Sequence, residues 1–277
     1  MPHQLVRSHY SPDGLEARIR AALGKAGISS IDGPIQPESL AALDQFHAGG
    51  LAATIDLIEL LDPAPGARVL DVGSGLGGPA RVLASRRRCH VTGIDLVPEY
   101  VAIAGWLSEL CGLEASTSFT QGDAGVMSLA HASFDHAWSL HVAMNIQDRR
   151  RFYAGVRHAL KGGGRFVSYD VVASDHPSLR FPVPWASTED LSHLSTPQGT
   201  CDALARAGFA KVHSIDRTQQ ARASLAQASA GPAGATPALS LGAVLGPRTA
   251  EMVANFAHAL QVGTARVIAF IATGPSH

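Results

Sequence analysis

Three acidic residues stand where their carboxylates could share one binding site. Asp71 closes an apolar run before a glycine-rich turn, and Asp95 and Asp123 stand at the ends of the next two predicted strands. Because the carboxyl ends of parallel strands meet at one edge of a sheet, the three side chains should lie along one rim. A carboxylate at Asp71 would favour an ammonium or sulfonium group. Asp95 could bind ribose hydroxyls, and Asp123 could accept a hydrogen bond from an adenine amino group.

The turn after Asp71 contains the glycines Gly73, Gly75, Gly77 and Gly78. Glycine adopts turn conformations that other residues resist, and it allows a ligand to approach the backbone closely. The helix that begins in this turn presents free backbone amides to the same crevice. The spacing also satisfies the dinucleotide fingerprint G-x-G-x-x-G, which leaves a nicotinamide-dependent oxidoreductase open. Asp71 argues against that alternative, because its carboxylate would repel a pyrophosphate.

Strands and helices alternate around this turn, which predicts a parallel sheet with helices on both faces. The expected strands are Arg68–Val72, His90–Asp95, Ser116–Gln121, Phe134–Leu140 and Gly164–Val171. The expected helices between them are Gly78–Arg87, Pro98–Cys111 and Arg149–Leu160. Two further β-rich segments, Ala210–Asp216 and Thr264–Ala272, end the pattern.

Other segments flank this pattern. Residues 1–65 are expected to form an N-terminal helical cap, because apolar positions recur there at helical spacing. Residues 66–277 are expected to form the main domain, with inserts at about 174–195 and 217–262. The first insert carries aromatic residues on a proline-rich loop, which suits a lid.

Composition excludes several classes of protein. A net charge of −1 over 277 residues argues against a nucleic-acid-binding surface. The 3 cysteines are widely spaced, so neither a disulfide framework nor a zinc site is predicted, and no metal is expected. No signal peptide or membrane-spanning run is recognised, so the expected location is the cytoplasm. We expect a monomer or homodimer whose partner is a small molecule.

Residues 66–172 resemble the class I S-adenosylmethionine-dependent methyltransferases. Leu70–Gly78 matches the first motif of that family, Gly93–Leu96 the second and Gly122–Ala124 the third. Leu160–Gly164 resembles the turn before the fifth strand, with glycine where proline is usual. Small-molecule enzymes are the most similar subgroup: glycine, sarcosine and dimethylglycine N-methyltransferases, sugar O-methyltransferases and quinone C-methyltransferases. The resemblance implies a seven-stranded, mostly parallel Rossmann-like sheet, with a lid insert after strand 5.

The resemblance also implies S-adenosylmethionine as cofactor and indicates how it is held. The turn glycines would hold the methionyl part, Asp95 the ribose, and Leu96 and Asp123 the adenine. Tyr10 resembles a tyrosine that covers the cofactor, and the segment Asp44–Gly50 resembles one that contacts cofactor and substrate. The expected cofactor-binding residues are Tyr10, Gln45, Asp71, Gly73, Ser74, Gly75, Gly77, Asp95, Leu96, Asp123, Ala124, Leu140 and His141.

The end of the fourth strand departs from many members of the family. His141 stands where a glutamate is common, and Asn145 where a histidine often acts as a base or orienting group. His141 could act as base or orient the substrate, because an unperturbed histidine titrates near neutrality; alternatively it packs beside the cofactor. His141 and Asn145 are the catalytic candidates. The lost histidine favours an amine or sulfur acceptor, for which positioning can supply much of the rate.

Substrate binding is expected from Tyr169, Phe181, Trp185 and His193. Phe181 and Trp185 could attract a cationic substrate or product, or they could pack the insert onto the sheet. The sequence therefore predicts an S-adenosylmethionine-dependent methyltransferase for a small-molecule acceptor. The alternatives are O- or C-methylation of a secondary metabolite or quinone, a nicotinamide-dependent oxidoreductase, and a non-catalytic S-adenosylmethionine-binding protein.

Overall fold

A computed structural model describes residues 14–29, 33–127, 129–174, 178–229 and 239–276. Tyr10 lies outside these ranges. The strands are β1 Arg68–Val72, β2 His90–Asp95, β3 Thr117–Gln121, β4 Phe134–Leu140, β5 Leu160–Ala173, β6 Lys211–Asp216 and β7 Ala265–Thr273. They form one sheet in the order β3-β2-β1-β4-β5-β7-β6.

The sheet is parallel from β3 to β5, and β7 runs antiparallel to both of its neighbours. This topology confirms the predicted seven-stranded, mostly parallel fold. From β1 the chain moves outward to β2 and β3, then returns to place β4 on the other side of β1. Such a reversal leaves a crevice at the carboxyl ends of the central strands, where ligands of open α/β sheets bind.

Helices cover both faces of the sheet. They are α1 Leu15–Lys25, α2 Ala41–Asp44, α3 Gly50–Leu61, α4 Gly78–Arg87, α5 Pro98–Leu110, α6 Arg149–Ala159, α7 Pro197–Arg206, α8 Thr218–Ser229, α9 Gly242–Leu245 and α10 Thr249–Val262. Short 3₁₀ helices lie at Pro37–Leu40, Ala124–Val126, Ala143–Asn145 and Glu189–Leu191.

The apolar content of β1 follows from this layering. Val69, Leu70 and Val72 are all fully buried, because a central parallel strand has helices over both of its faces. One core contains Val69 and Trp138, and the other contains Leu70 and Phe166. Packing on both faces fixes the position of β1 in the sheet, and therefore the position at which the glycine turn begins.

A third hydrophobic cluster attaches the N-terminal helices to the sheet layer. Leu15 and Ile19 of α1 pack with Leu40 and with Ile103 and Leu107 of α5. This packing brings the chain between α2 and α3 next to the glycine turn. Residues distant in sequence therefore meet at the crevice.

Some predicted boundaries differ from the structure. The helix expected at Pro37–Gln45 is divided into a 3₁₀ helix and α2, and the backbone leaves helical geometry at Gln45. β5 begins at Leu160 instead of Gly164, because Leu160 pairs with Phe134 before the register shifts. The described part of the first insert contains only one 3₁₀ turn and an isolated bridge between Val183 and Ala186.

Candidate active site

The glycine turn between β1 and α4 uses left-handed backbone conformations. Gly73, Gly75 and Gly77 have φ angles of 75°, 54° and 74°. Side chains other than glycine rarely adopt such angles. A Cβ atom on Gly73 would lie 2.2 Å from Cγ2 of Val142, in the loop after β4. Glycine is therefore required at this position by both conformation and space.

The turn opens onto a cavity of about 360 Å³. Its walls come from the turn, the loops after β2, β3 and β4, the segment between α2 and α3, and the first insert. Most of the predicted site residues line it: Asp71, Gly73, Ser74, Gly75, Asp95, Leu96, Asp123, Ala124, Leu140, His141, Asn145, Trp185 and His193.

Two of the residues expected to bind cofactor do not line the cavity. Gln45 is buried, and its Oε1 accepts a hydrogen bond of 2.6 Å from the Thr54 hydroxyl. Gly77 caps the start of α4, where a Cβ atom would lie 2.6 Å from the Phe119 ring. Both residues hold the walls of the cavity instead of facing it.

Two of the residues expected to bind substrate are also removed from the cavity lining. The Tyr169 hydroxyl donates a hydrogen bond of 3.0 Å to the Ala48 carbonyl, which fastens the segment before α3 to β5. Phe181 packs against the core cluster that includes Trp185 and Phe256. Packing is the role that the structure gives to these two rings.

Asp95 at the end of β2 and Asp123 after β3 are bound to backbone amides. Asp95 accepts from Gly75 N at 2.8 Å and from Val97 N at 2.9 Å, which links the glycine turn to the end of β2. Asp123 Oδ1 accepts from Gly125 N at 2.7 Å and begins the 3₁₀ turn after β3. Burial raises the pKa of Asp95, and its backbone hydrogen bonds act in the opposite direction.

Asp71 has a different environment. It is buried at the end of β1, and its Oδ2 has no hydrogen-bond partner among the described residues. Burial first and the neighbouring Asp95 charge second raise the pKa of the Asp71 carboxyl to about 8, and the nearby Trp138 side chain acts in the opposite direction. An unpartnered buried carboxyl beside a cavity is suited to a cationic group of a ligand.

His141 is held from three directions at the end of β4. Its backbone φ is 57°, and its amide donates to the Tyr169 carbonyl at 2.7 Å. Its ring stacks on Tyr169 with centroids 5.4 Å apart, and its Nε2 accepts from Ala48 N at 3.4 Å. Burial and the neighbouring His47 lower the pKa of His141 well below its usual value. The ring is therefore neutral at physiological pH.

Asn145 connects the loop after β4 to the first insert. Its Nδ2 donates to the carbonyls of Trp185, at 2.7 Å, and Leu191, at 3.1 Å. These two contacts fix the insert's backbone, and Asn145 also lines the cavity, so its catalytic role stays a prediction. The insert is further fixed by the His193 amide, which donates to the Met144 carbonyl at 2.7 Å.

Trp185 lines the cavity and also packs in the hydrophobic core. Its indole N–H donates to the Ser192 hydroxyl at 3.0 Å, and its ring meets Phe256 edge-on with centroids 5.3 Å apart. One side of this buried residue lines the cavity. The ring thus forms a rigid wall whose position is set by α10.

Several lining residues were not named as site residues from the sequence, among them two neighbours that carry rings. Phe46 and His47 lie in the segment between α2 and α3 and face the glycine turn and the His141 loop. The resemblance of Asp44–Gly50 to a cofactor-contacting segment was the available signal, although it led to Gln45. Burial lowers the pKa of His47 to about 4, so this ring is also neutral at physiological pH.

Neither a metal site nor a membrane span is found in the part of the chain that the structure describes. Within it, no group of three or more His, Cys, Asp or Glu side chains is arranged to hold a metal ion. Its helices include none that is long and apolar enough to cross a membrane.

Comparison with known proteins identifies a methyltransferase domain. A family model described as a methyltransferase domain matches residues 70–168, from within β1, through the glycine turn, to within β5. This stretch forms a class I S-adenosylmethionine-dependent methyltransferase domain.

Individual relatives support this identification. A sterol 24-C-methyltransferase from Gibberella zeae is 36% identical over 40% of this chain and 29% of its own length. Phosphoethanolamine N-methyltransferase 1 from Arabidopsis thaliana is 32% identical over 62% of this chain and 34% of its own length. The chain thus spans about a third of the length of these relatives.

A solved structure shows the same fold. Phosphoethanolamine N-methyltransferase 2 from Haemonchus contortus, in complex with S-adenosylmethionine, superposes with a TM-score of 0.69 and 19% identity. The match covers 92% of this methyltransferase and 59% of that chain.

The cavity residues of this methyltransferase fit S-adenosylmethionine. Asp71 Oδ2 and Ser74 Oγ are buried polar atoms without hydrogen-bond partners among the described residues, and both residues line the cavity. They suit the ammonium and carboxylate groups of the methionyl part. Leu96 and Asp123 lie on the walls at the ends of β2 and β3, where an apolar surface and an acceptor suit adenine.

Proposed function

We propose that this methyltransferase acts on the amine or sulfur atom of a small-molecule acceptor without a general base at His141. The coarser assignment, a small-molecule methyltransferase, follows from the family. S-adenosylmethionine supplies a methyl group that is already activated by the sulfonium. The residues of the chain then need to orient the acceptor, exclude water and avoid trapping the acceptor in an unreactive protonation state.

The single observation that carries this proposal is the state of His141. Its Nε2 accepts a hydrogen bond from the Ala48 amide, and burial holds its pKa well below the usual value. A histidine with so low a proton affinity is a poor base for a hydroxyl group. A neutral amine or a thioether has its lone pair available and needs no proton removed before attack.

The wall of the cavity beyond the glycine turn supports a mostly apolar acceptor. It is built from the rings of Phe46 and Trp185 and the aliphatic side chains of Met144, Leu191 and Leu245. The histidines facing it, His47, His141 and His193, all have lowered pKa values, with burial as the main cause. Such a wall removes water from an amine and favours its neutral, nucleophilic form.

Charge on the cavity lining supports an acceptor without phosphate. Among the described lining residues the only lysine or arginine is Arg151, whose side chain is exposed. The acidic lining residues are Asp44, Asp71, Asp95, Asp123, Asp148 and Asp190. Phosphate recognition normally relies on arginine, lysine or clustered backbone amides, and Arg151 is the one described lining side chain of that kind.

The proposal is tested by methylation assays on matched acceptors. Each apolar amine or thioether is offered beside its hydroxyl analogue and beside a phosphorylated amine such as phosphoethanolamine. We expect methyl transfer to members of the amine or thioether set and none to their hydroxyl or phosphorylated partners. Methylation confined to hydroxyl or carbon acceptors would overturn the proposal. Binding of S-adenosylhomocysteine, measured first by calorimetry, confirms that the protein used is competent.

A further inference from the structure

Asp71 is a buried acid for which the described part of the protein supplies no cation. The residue is at the end of β1, where it pairs in register with Gly93 on β2 and Trp138 on β4. Its Oδ2 has no hydrogen-bond partner among the described residues, and the residue lines the cavity. The geometry therefore leaves one oxygen of a desolvated carboxyl available to a ligand.

The charged and titratable groups around Asp71 do not compensate a negative charge. On β2, Asp95 is itself acidic, and both of its oxygens are engaged by backbone amides. On the segment before α3, Asp44 is paired with Arg81 of α4 at 2.7 Å, so this guanidinium serves another carboxylate.

The histidines that line the cavity are neutral. His47 precedes α3, His141 follows β4, and His193 lies in the first insert. All three have lowered pKa values, with burial as the largest cause. A charged Asp71 would thus face a second carboxylate across the rim without a compensating histidinium. The protonated form of Asp71 is favoured, in agreement with its pKa of about 8.

We propose that binding of the cofactor's α-ammonium group removes the proton from Asp71. The neutral carboxyl becomes a carboxylate that pairs with the ammonium, and the proton passes to solvent. The ammonium keeps its own protons, so the event is the release of one proton per ligand bound. This inference rests on the assigned cofactor, but it does not depend on which acceptor is methylated.

Proton release makes affinity depend on pH in a defined direction. Below the pKa of the free protein, ionisation of Asp71 opposes binding, so affinity for an ammonium-bearing ligand rises with pH. A single linked proton changes Kd by about tenfold per pH unit. A nucleoside that lacks the amino-acid part, such as 5′-methylthioadenosine, has no ammonium group to pair with Asp71. Its affinity is expected to be nearly independent of pH over the same range.

The experiment is isothermal titration calorimetry on the full chain, with S-adenosylhomocysteine and 5′-methylthioadenosine as probes. Titrations in two buffers of different ionisation enthalpy at one pH give the number of protons released. The pH range is about 6 to 7, in which the ligand ammonium remains largely protonated. We expect release of about one proton and tighter binding at higher pH for S-adenosylhomocysteine. For 5′-methylthioadenosine we expect neither effect.

Two variants test whether Asp71 is the source of the released proton. Asp71→Asn should abolish proton release with S-adenosylhomocysteine, whereas Asp123→Asn should weaken binding through the adenine and retain the release. Two other lining carboxyls have pKa values raised by burial: Asp44, to about 6, and Asp95. Asp44 pairs with Arg81, and Asp95 is expected to bind the ribose that both ligands carry, so a contribution from either should appear with both ligands.

Several outcomes would overturn the inference. They are proton release that persists in Asp71→Asn, equal release with both ligands, or binding of S-adenosylhomocysteine by the wild-type protein without release. The comparison of two ligands on the wild-type protein does not depend on the folding of any variant. Because no acceptor is present, failure here is distinguishable from failure of the proposed amine or sulfur specificity.

Discussion

Arg81 and Asp44 form an ion pair with a distance of 2.7 Å between Nη2 and Oδ2, and both side chains have 0% exposure. The same guanidinium nitrogen donates to the Leu76 carbonyl of the glycine turn at 2.8 Å. Nη1 donates to Ala104 on α5 at 3.2 Å. One side chain thus joins the N-terminal segment, the cofactor turn and a sheet-covering helix.

Arg81→Ala should destabilise the protein strongly, because it leaves Asp44 buried without its partner. Removing one member of a buried pair costs about 3–5 kcal/mol. The free energy of unfolding from urea denaturation checks this value. The matched control is Arg86→Ala, because Arg86 pairs with Glu38 at 3.1 Å on the surface and such pairs contribute about 0–1 kcal/mol. Equal losses in the two variants would contradict the role assigned to Arg81.

Gly73→Ala should weaken both folding and cofactor binding, since its Cβ would lie 2.2 Å from Cγ2 of Val142. The control is Gly66→Ala, where φ is also positive, at 79°, but no atom lies within 4 Å of the added Cβ. The difference in stability between the two variants separates the cost of the steric clash with Val142 from the cost of backbone strain. Gly73→Ala combined with Val142→Ala should recover part of the S-adenosylhomocysteine affinity. Calorimetry detects this recovery, and its absence would mean that strain alone matters.

His141→Ala should retain most of the turnover, because the proposed reaction uses no base at this position. The wild-type kcat should show no inflection between about pH 6 and 7 from this histidine, whose pKa is lowered by burial. A pH–rate profile of both proteins, with cofactor Kd measured separately, tests the expectation. Loss of kcat by a thousandfold in His141→Ala, with cofactor binding intact, would show that His141 is catalytic after all.

Asn145→Ala should raise the KM for the acceptor more than it changes the Kd for S-adenosylhomocysteine. The variant removes two hydrogen bonds that hold the insert at Trp185 and Leu191. Each such bond contributes about 0.5–1.5 kcal/mol net. Hydrogen exchange of residues 182–193 should become faster. A fall in kcat with an unchanged KM and unchanged exchange would instead favour a catalytic role.

Asp71→Asn should stabilise the protein increasingly as pH rises from about 4 to 8. The pKa of this carboxyl is raised from 3.8 to about 8 by burial first and by Asp95 second. The folded protein therefore binds the proton more tightly than the unfolded chain, and the wild type loses stability as pH rises through that window. Thermal melts at both ends of the window measure the effect. A variant that melts below the wild type at pH 8 would contradict it.

The sequence determined the elements of the central sheet and the rim of acids. The bounds of β1, β2, β4 and α4 agree with those expected, because apolar runs, turn glycines and helix periodicity are local properties of the chain. The motif residues that end β1, β2 and β3 all reach the cavity, because parallel strands place their carboxyl ends at one edge. Family, fold and cofactor follow from this short stretch.

Only the tertiary structure decided what the remaining residues do. Asn145 binds carbonyls at least 40 residues away, and Tyr169 binds one 121 residues away. Likewise, the low proton affinity of His141 arises from burial and from His47, which belongs to the N-terminal segment. Hydrogen-bond partners and desolvation depend on which distant segments pack together. A residue type at a given position could therefore suggest catalysis, whereas only the packed fold shows which carbonyls Asn145 holds and why the proton affinity of His141 is low.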